Sequence, residues 1–264
     1  MKISKLFISF FNLKITEFVP KKEYSLDNND IVIYTVYLPN FKDIQADLSK
    51  FLNSAELSKT KRFYKEVDRN RFIIYRSILK LVLGAYTKLN VKNIYLDYDF
   101  NKKPYLASHP WLHFNLSHSE DFAAIAVSRR KVGLDIEYMS KDFNFTSLLP
   151  DVFDDNETTI IQRSIDKKNT FYTLWTRKEA FVKALGKGID EDFKFIPCLD
   201  GEYSVDFSLI KNSQDWQVRS FDLADDYLGA IALEGLATIS KNISMYNVPN
   251  NMKDLLEMAQ KRGG

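Results

Sequence analysis

The sequence predicts an α+β fold of two similar-sized halves with a site at their junction, and three observations support this prediction. Helical patterns and mostly antiparallel strand patterns recur in both halves. Hydrophobic residues make up 45% of the 264 residues, enough for a large core. A turn at Arg129-Arg130 separates two strand-like segments, and sites often lie where two such units meet. We therefore divide the chain into an N-terminal extension (residues 1–30), an N-terminal half (31–129) and a C-terminal half (130–264).

In the N-terminal half, the β-branched and aromatic residues 31–38 predict a strand, which is closed by Pro39-Asn40. The pattern is helical over residues 43–89, and the clearest helix begins near Asp68, a typical N-cap residue. The apolar residues of this helix recur at a period of about 3.6 residues. They are Phe72, Tyr75, Leu79, Val82, Leu83 and Tyr86. Short strands are predicted over residues 94–98 and Phe122–Ser128.

In the C-terminal half, a strand is predicted over Val132–Tyr138, directly after the basic turn. Helical segments are predicted over residues 146–187. Three further strands and a closing helix complete the half. We place the strands at residues 202–209, 217–222 and 228–234 and the helix at 252–260.

Composition and charge exclude several classes of protein. The formal net charge of +2 gives no strong attraction to nucleic acid or to a membrane surface. The single cysteine, Cys198, excludes an internal disulfide framework and a cysteine metal cluster. The apolar run at residues 6–11 is too short for a signal peptide and lacks a cleavage site, and no stretch reaches the roughly 20 apolar residues of a membrane span. We expect a cytoplasmic protein with no membrane or nucleic-acid partner.

The first candidate site is the strand pair Asp135 and Glu137. Side chains alternate along a strand, so these two carboxylates share one face, about 7 Å apart. Carboxylates held this close repel each other unless they are solvated or neutralised, and hard oxygen ligands suit Mg²⁺. Taken alone, the pair is more often the solvated face of an edge strand than a metal site.

The second candidate site is a helix face formed by Trp175, Glu179 and Lys183, at positions i, i+4 and i+8. One interpretation is an ordinary Glu–Lys helix pair. The other makes Glu179 a third carboxylate near the metal and Lys183 a phosphate clamp. Lys178 points elsewhere, toward a second anionic group or toward solvent. Gly186 is expected to end this helix.

Two further segments have phosphate-binding chemistry. Residues 114–119 are predicted as a turn whose Asn, Ser and His side chains and backbone N–H groups suit phosphate oxygens, although His118 alone is more often a structural histidine. The basic stretch 59–71 places Arg69 and Arg71 in the first turn of the helix predicted from Asp68. Cations there oppose the helix dipole, which is mildly unfavourable unless an anion lies nearby, so the placement hints at phosphate binding. Taken alone, a basic stretch of this kind is more often a solvated charged face.

The order and spacing of these motifs are more specific than any one of them. K-P-x-L (from Lys103), F-N-x-S-H-S (from Phe114), G-x-D-x-E (from Gly133) and W-x-x-K-E-A-x-x-K (from Trp175) follow one another. Together they resemble the 4′-phosphopantetheinyl transferase superfamily, in its long surfactin-synthetase-activator (Sfp) type. The match runs from about Ile31 to Gly188.

The resemblance implies a pseudo-duplicated α+β fold that acts as a monomer and binds coenzyme A between its halves. Its implied reaction moves 4′-phosphopantetheine to a serine of an acyl or peptidyl carrier protein and releases 3′,5′-ADP. Mg²⁺, or Mn²⁺ in its place, would be held by Asp135, Glu137 and Glu179. Glu179 would act as general base, and Lys183 would contact the pyrophosphate or the pantetheine side.

The resemblance also assigns the coenzyme A contacts. Ser117 and His118 would bind its phosphates and Lys103 its nucleotide end. The 3′-phosphate would be bound by Lys59 and Arg71. The chain departs from the family at Glu56, where a further basic residue is common, so completeness of the 3′-phosphate clamp stays open.

Two rival functions remain open at this point. Metal-dependent nucleases also cluster carboxylates, but they commonly place a lysine two residues after the second acid, where this chain has Met139. A family member that binds coenzyme A without catalysis is the other alternative. The apolar stretch 143–149 is a candidate docking contact for the carrier, or an ordinary core segment. The sequence leaves the carrier's identity and the role of residues 1–30 undetermined.

Overall fold

The computed structural model of the chain describes residues 3–17, 24–210, 214–235 and 243–259. The strands are β1 (Ile3–Phe10), β2 (Ile15–Glu17), β3 (Ile31–Tyr37), β4 (Asp97–Tyr98), β5 (Pro104–Tyr105), β6 (His113–Ser119), β7 (Phe122–Ser128), β8 (Val132–Tyr138), β9 (Gly201–Asp206), β10 (Trp216–Ala224), β11 (Tyr227–Glu234) and β12 (Ile243–Asn247). The helices are α1 (Gln45–Leu48), α2 (Ser54–Thr60), α3 (Glu66–Thr87), α4 (Leu149–Val152), α5 (Asp155–Arg163), α6 (Lys167–Leu185), α7 (Phe207–Ile210) and α8 (Met252–Ala259). Within these ranges no helix is both long and apolar enough to cross a membrane.

Most strands belong to two five-stranded sheets. The N-terminal sheet has the order β2-β12-β3-β7-β6, and the C-terminal sheet has the order β8-β11-β10-β1-β9. Alternate residues of strands in both sheets form one buried cluster, which includes Ile33 and Ala126 from the first and Leu134 and Ile231 from the second. The two sheets therefore pack face to face, which confirms the α+β prediction.

One long helix covers the outer face of each sheet. Helix α3 shares a buried cluster with β3, β6 and β7, and residues 72–87 of this helix are buried. Helix α6 shares a second cluster with β1, β10 and β11. Each helix packs against one sheet on the side away from the other sheet, so four layers result: helix, sheet, sheet, helix.

Each sheet receives one strand from the far end of the chain. Strand β1, predicted as part of an extension, pairs in parallel with β10, with Leu6 opposite Trp216. Strand β12, from the predicted C-terminal half, pairs in parallel with β3, with Ile243 opposite Ile31. The division at residue 130 stays a prediction, but these two strands cross it. Burial of the alternate residues Ser4, Leu6 and Ile8 explains why β1 is a strand of the core and not a free extension.

Several element boundaries differ from the predictions. Helix α3 begins at Glu66 and not at Asp68, and the predicted strand over 94–98 is reduced to the two residues of β4. The first strand after α6 ends at Asp206, where α7 begins. The closing helix runs to Ala259, and the predicted residue 260 lies outside the described residues. Segment 114–119 is not a turn but lies in strand β6.

Candidate active site

Close packing of β8 against α6 brings the two predicted carboxylate motifs together. A Cβ on Gly133 would lie 2.1 Å from the carbonyl oxygen of Ala180, so only glycine allows this approach. The next residues on that face of β8, Asp135 and Glu137, therefore lie under α6. Glu179 and Lys183, one turn apart on α6, face them. The helix ends as predicted, with Gly186 in the left-handed conformation at φ 70°.

Lys183 is the positive centre of this cluster. Its Nζ donates to Asp135 Oδ1 at 2.6 Å and lies 3.9 Å from Glu179 Oε2. Burial disfavours its charge, but the carboxylates of Asp135 and Glu179 outweigh that effect and raise the pKa of Lys183. The ammonium therefore stays protonated at neutral pH.

The carboxylates of the cluster are incompletely compensated. Burial, then repulsion by Asp135, raises the pKa of Glu137 to about 7, although Ser119 Oγ donates to Glu137 Oε2 at 2.9 Å. Burial also raises the pKa of Glu179. The second oxygen of Asp135, Oδ2, is buried without a hydrogen-bond partner. These observations all indicate that a positive group would be favourable here.

The charge of this donor set suits a divalent cation, whereas its geometry does not yet form a metal site. Three carboxylates face one ammonium, so full ionisation leaves two negative charges in excess, which a divalent cation would neutralise. Among the described residues, no three carboxylate, imidazole or thiol groups already stand in a metal-ligand arrangement. Lys183 lies between Asp135 and Glu179 instead, so binding an ion would require small side-chain shifts.

Ser117 and His118, the two predicted phosphate-binding residues that lie on β6, point to opposite faces of that strand. Ser117 is buried and its Oγ donates to Asp135 Oδ1 at 3.0 Å, so it belongs to the carboxylate cluster. The ring of His118 stacks on Tyr75 of α3 with centroids 4.4 Å apart. Desolvation, then the positive charges of Lys183, Arg71 and Lys59, lowers the pKa of His118. The imidazole is therefore mostly neutral at pH 7 and can accept or donate one hydrogen bond.

Lys59 and Arg71 lie close enough to His118 to affect its pKa, and both have partners in the protein. The Nη2 atom of Arg71 donates to Glu120 Oε2 at 2.8 Å and to Asp121 Oδ1 at 3.3 Å. Lys59 Nζ lies 4.9 Å from the centroid of the Phe72 ring. An anion binding at this basic region would compete with two carboxylates of the β6–β7 turn.

Lys103 has a different environment from the one the sequence suggests. Its Nζ donates to three backbone carbonyls, those of Val132, Lys183 and Ala184, at 3.1, 2.6 and 3.2 Å. Burial lowers its pKa to about 8. All three ammonium protons are used, so Lys103 ties β5 to the end of α6, and its aliphatic chain lines a cavity of about 370 Å³ together with Tyr105.

Two more charged residues prove to be structural. Glu56 is buried and pairs with Arg76 at 2.7 Å and Lys80 at 3.2 Å, so it is a core ion pair and not part of an anion clamp. Lys178 is fully buried, and its anionic partner is Glu157 at 2.9 Å inside the protein, not solvent. Cys198 is a free thiol buried in the core.

A second cavity, of about 310 Å³, opens beside Glu137 and is lined by Phe143, Leu148, Tyr172 and Trp175. The sequence did not predict that Ser119 contacts Glu137 at this edge, or that Asn115, further along β6, contacts strand β8. The available signal was the alternation of polar side chains at residues 115, 117 and 119, which is typical of one strand face.

Comparisons with known proteins give matches over both parts of the chain. Residues 131–232 match the sequence model of the 4′-phosphopantetheinyl transferase superfamily. Residues 38–130 match that of the 4′-phosphopantetheinyl transferase N-terminal region.

Curated relatives carry the same description. The 4′-phosphopantetheinyl transferase HetI of Nostoc sp. is 33% identical over 171 residues, which are 62% of this chain and 72% of the relative. The 4′-phosphopantetheinyl transferase Sfp of Bacillus subtilis is 26% identical over 206 residues, 75% of this chain and 90% of the relative. Since both halves match and these relatives are covered over most of their length, the chain belongs to the 4′-phosphopantetheinyl transferase superfamily, as a member of the Sfp-like type.

Proposed function

We propose that this enzyme transfers the 4′-phosphopantetheine group of coenzyme A to a serine of an acyl or peptidyl carrier protein. The observation that carries the proposal is the convergence of Asp135 and Glu137 on β8 with Glu179 and Lys183 on α6, where Lys183 Nζ lies 2.6 Å from Asp135. Such a group of acids around one cation, beside basic residues, suits a diphosphate with its counter-ion.

The proposed reaction is a phosphoryl transfer. The serine oxygen attacks the phosphorus that bears pantetheine, and the bond from that phosphorus to the bridging oxygen breaks. The serine proton goes to a base, and 3′,5′-ADP leaves with the bonding electrons. Because the transition state needs mainly positioning and charge stabilisation, the enzyme contributes fixed groups around the diphosphate.

The cationic side chains have the proposed task of binding these phosphates. Lys183 supplies a fixed positive charge beside the diphosphate oxygens, and His118 supplies a hydrogen bond to it. Ser117 was predicted for the same task, but its proton goes to Asp135, so it would bind the phosphates only after giving up that hydrogen bond. Lys59 and Arg71 are proposed for the 3′-phosphate. The cavity beside Lys103 supports a nucleotide end there, in contact with the aliphatic part of Lys103 and not with its ammonium.

Asp135, Glu137 and Glu179 are proposed to hold Mg²⁺, or Mn²⁺ in its place. A bound divalent ion would neutralise charge that develops on the 5′-phosphate of the leaving 3′,5′-ADP. Asp135, with one oxygen on Lys183 and one unpaired, is oriented by Lys183 and Ser117.

Glu179 is the proposed general base. Beside a divalent cation its carboxylate would stay ionised and able to accept a proton, and serine needs such a base at neutral pH. The test is Glu179→Gln, with transfer to apo-carriers read by mass shift and coenzyme A affinity measured by calorimetry. We expect transfer to fall by roughly 10²- to 10⁴-fold while the variant folds and binds coenzyme A.

Glu191→Gln, at an exposed carboxylate, is the matched control and should retain full activity. Near-normal turnover by Glu179→Gln would remove Glu179 from the mechanism. Absence of transfer by the wild type to fatty-acid, polyketide and peptide-synthetase carriers would leave the alternative of a coenzyme A-binding protein without catalysis.

The carrier is proposed to dock beside the second cavity, where Phe143 is 43% exposed. The predicted docking stretch must be shortened, because Leu149 is buried in the core and Phe145 stacks on Phe171. Phe143→Ala should raise KM for the carrier without changing KM for coenzyme A. If the variant has the wild-type KM for both the carrier and coenzyme A, Phe143 is excluded from docking.

A further inference from the structure

Two outer strands, one from each sheet, face each other at the site. Strand β6 is the outer strand of the N-terminal sheet, and β8 is the outer strand of the C-terminal sheet. In an antiparallel pair, every second residue turns its N–H group away from the partner strand. On β8 the amides of Leu134, Ile136 and Tyr138 point away from β11 in this way. Buried amides of this kind need other acceptors.

Side chains of β6 supply these acceptors. The amide of Leu134 donates to Asn115 Oδ1 at 2.7 Å. The amides of Ile136 and Tyr138 donate to the Oγ atoms of Ser117 and Ser119 at 3.2 and 3.1 Å. We call the three side chains Asn115, Ser117 and Ser119 the polar ladder. They alternate at the two-residue repeat of β6, which matches the repeat of outward amides on β8.

The two serines of the ladder also bind the site carboxylates. Ser117 donates its proton to Asp135 Oδ1 at 3.0 Å, and Ser119 donates to Glu137 Oε2 at 2.9 Å. A hydroxyl has one proton and two lone pairs, so acceptance of a backbone N–H leaves the proton free to point at the carboxylate. Each serine therefore joins a β8 amide to the carboxylate of the residue before it.

We propose that Asn115 and Ser119 are positioning residues that set the catalytic carboxylates across the junction of the two halves. This inference rests on the proposed function. Asn115 holds the start of β8 against β6, and Ser119 fixes the direction of the Glu137 side chain. Because the acceptors lie on the N-terminal sheet and the acids on the C-terminal sheet, the carboxylates reach their working orientation only when the sheets meet in this register.

The test compares Ser119→Ala and Ser119→Thr with wild type, using kcat, KM for coenzyme A and amide hydrogen exchange. Removal of a hydrogen bond that orients a site carboxylate is expected to lower kcat about 10- to 100-fold, with KM for coenzyme A changed less than about threefold. Exchange at the Tyr138 amide should accelerate about tenfold or more, while the other β8 amides keep their rates. Ser119→Thr retains the hydroxyl and should restore both values.

Asn115→Ala should accelerate exchange at Leu134 in the same way. Ser128→Ala is the matched control, since Ser128 is a buried serine of neighbouring β7 whose Oγ accepts the Arg130 amide far along the strand from the acids. It should leave kcat unchanged. A kcat within twofold of wild type for Ser119→Ala, or failure of Ser119→Thr to restore it, would overturn the positioning role.

The exchange measurement keeps the inference separate from the proposed function. If the wild type transfers nothing, the function fails, whereas unchanged exchange at Tyr138 in Ser119→Ala and at Leu134 in Asn115→Ala would refute the ladder itself.

Discussion

Two groups of buried charged side chains, one in each half, differ in how completely their positive and negative charges are paired. In the N-terminal half, Glu56 lies between Arg76 and Lys80, and the three side chains are no more than 10% exposed. In the C-terminal half, three carboxylates surround Lys183, and one buried oxygen of Asp135 has no partner. The first group is complete within the protein and stabilises the fold. The second has more carboxylates than cations, and in the proposed function an added divalent cation would balance it.

The sharpest test of this comparison is Glu56→Gln. It leaves Arg76 and Lys80 buried without their carboxylate, and loss of one partner from a buried pair typically costs about 3–5 kcal/mol. We expect the free energy of unfolding, measured in urea, to fall by this amount. Glu66→Gln, at an exposed pair with Arg69, should cost less than about 1 kcal/mol. If Glu56→Gln also costs less than about 1 kcal/mol, the Glu56 ion pairs do not stabilise the fold and the contrast with the carboxylate cluster fails.

The second test uses pH. Glu137 has a pKa of about 7 in the fold and an ordinary value of 4.5, so the folded chain holds the extra proton between these values. Its contribution to stability is therefore greatest below pH 4.5, falls as pH rises to 7, and is constant above. At about 1.4 kcal/mol per pKa unit, the decline in metal-free protein reaches about 3 kcal/mol.

Glu137→Gln should abolish this part of the decline and be at least as stable as wild type at pH 8 without Mg²⁺. Urea unfolding at several pH values, in chelator-treated buffer, measures both effects. If the two pH profiles are parallel, Glu137 is not destabilised in the fold.

The third test adds Mg²⁺, the cation that the three carboxylates are proposed to bind. Mg²⁺ at a hundredfold excess over its Kd is expected to stabilise the wild type by about 2.7 kcal/mol, because it binds only the folded chain. Asp135→Ala should lose most of this shift and most transferase activity, and excess Mg²⁺ should restore little of either. An equal Mg²⁺ shift in Asp135→Ala, or full activity of that variant after chelation, would count against the site.

Local sequence patterns are sufficient to predict β8 and α6, the two elements that carry the acidic residues and Lys183. Strand β7 is a short, almost continuous apolar run and β8 alternates apolar with acidic residues, and both strands have the predicted bounds. The same reasoning placed Asp135 beside Glu137 and Glu179 beside Lys183. Burial of alternate residues in β1 was missed, because residues 1–30 were assigned to an extension outside the two halves.

The remaining errors have a common physical origin in distant packing. Strand β6 has the composition of a turn, since its Asn and Ser side chains serve the amides of another strand. Lys103 and Lys178 have acceptors that are backbone carbonyls of segments far along the chain or brought near only by the fold. No local pattern specifies such partners, so the sequence assigned Lys103 to the nucleotide end of coenzyme A and Lys178 to a second anionic group or to solvent.

The crossing of β1 and β12 has a consequence for any attempt to divide this protein. A cut near residue 130 would give two fragments, and each would contain a strand that completes the other fragment's sheet. Neither piece would contain all the strands of its own sheet, but the two pieces together would contain the strands of both sheets. Complementation of the two pieces in one cell, and not recovery of either alone, is therefore the outcome that this topology favours.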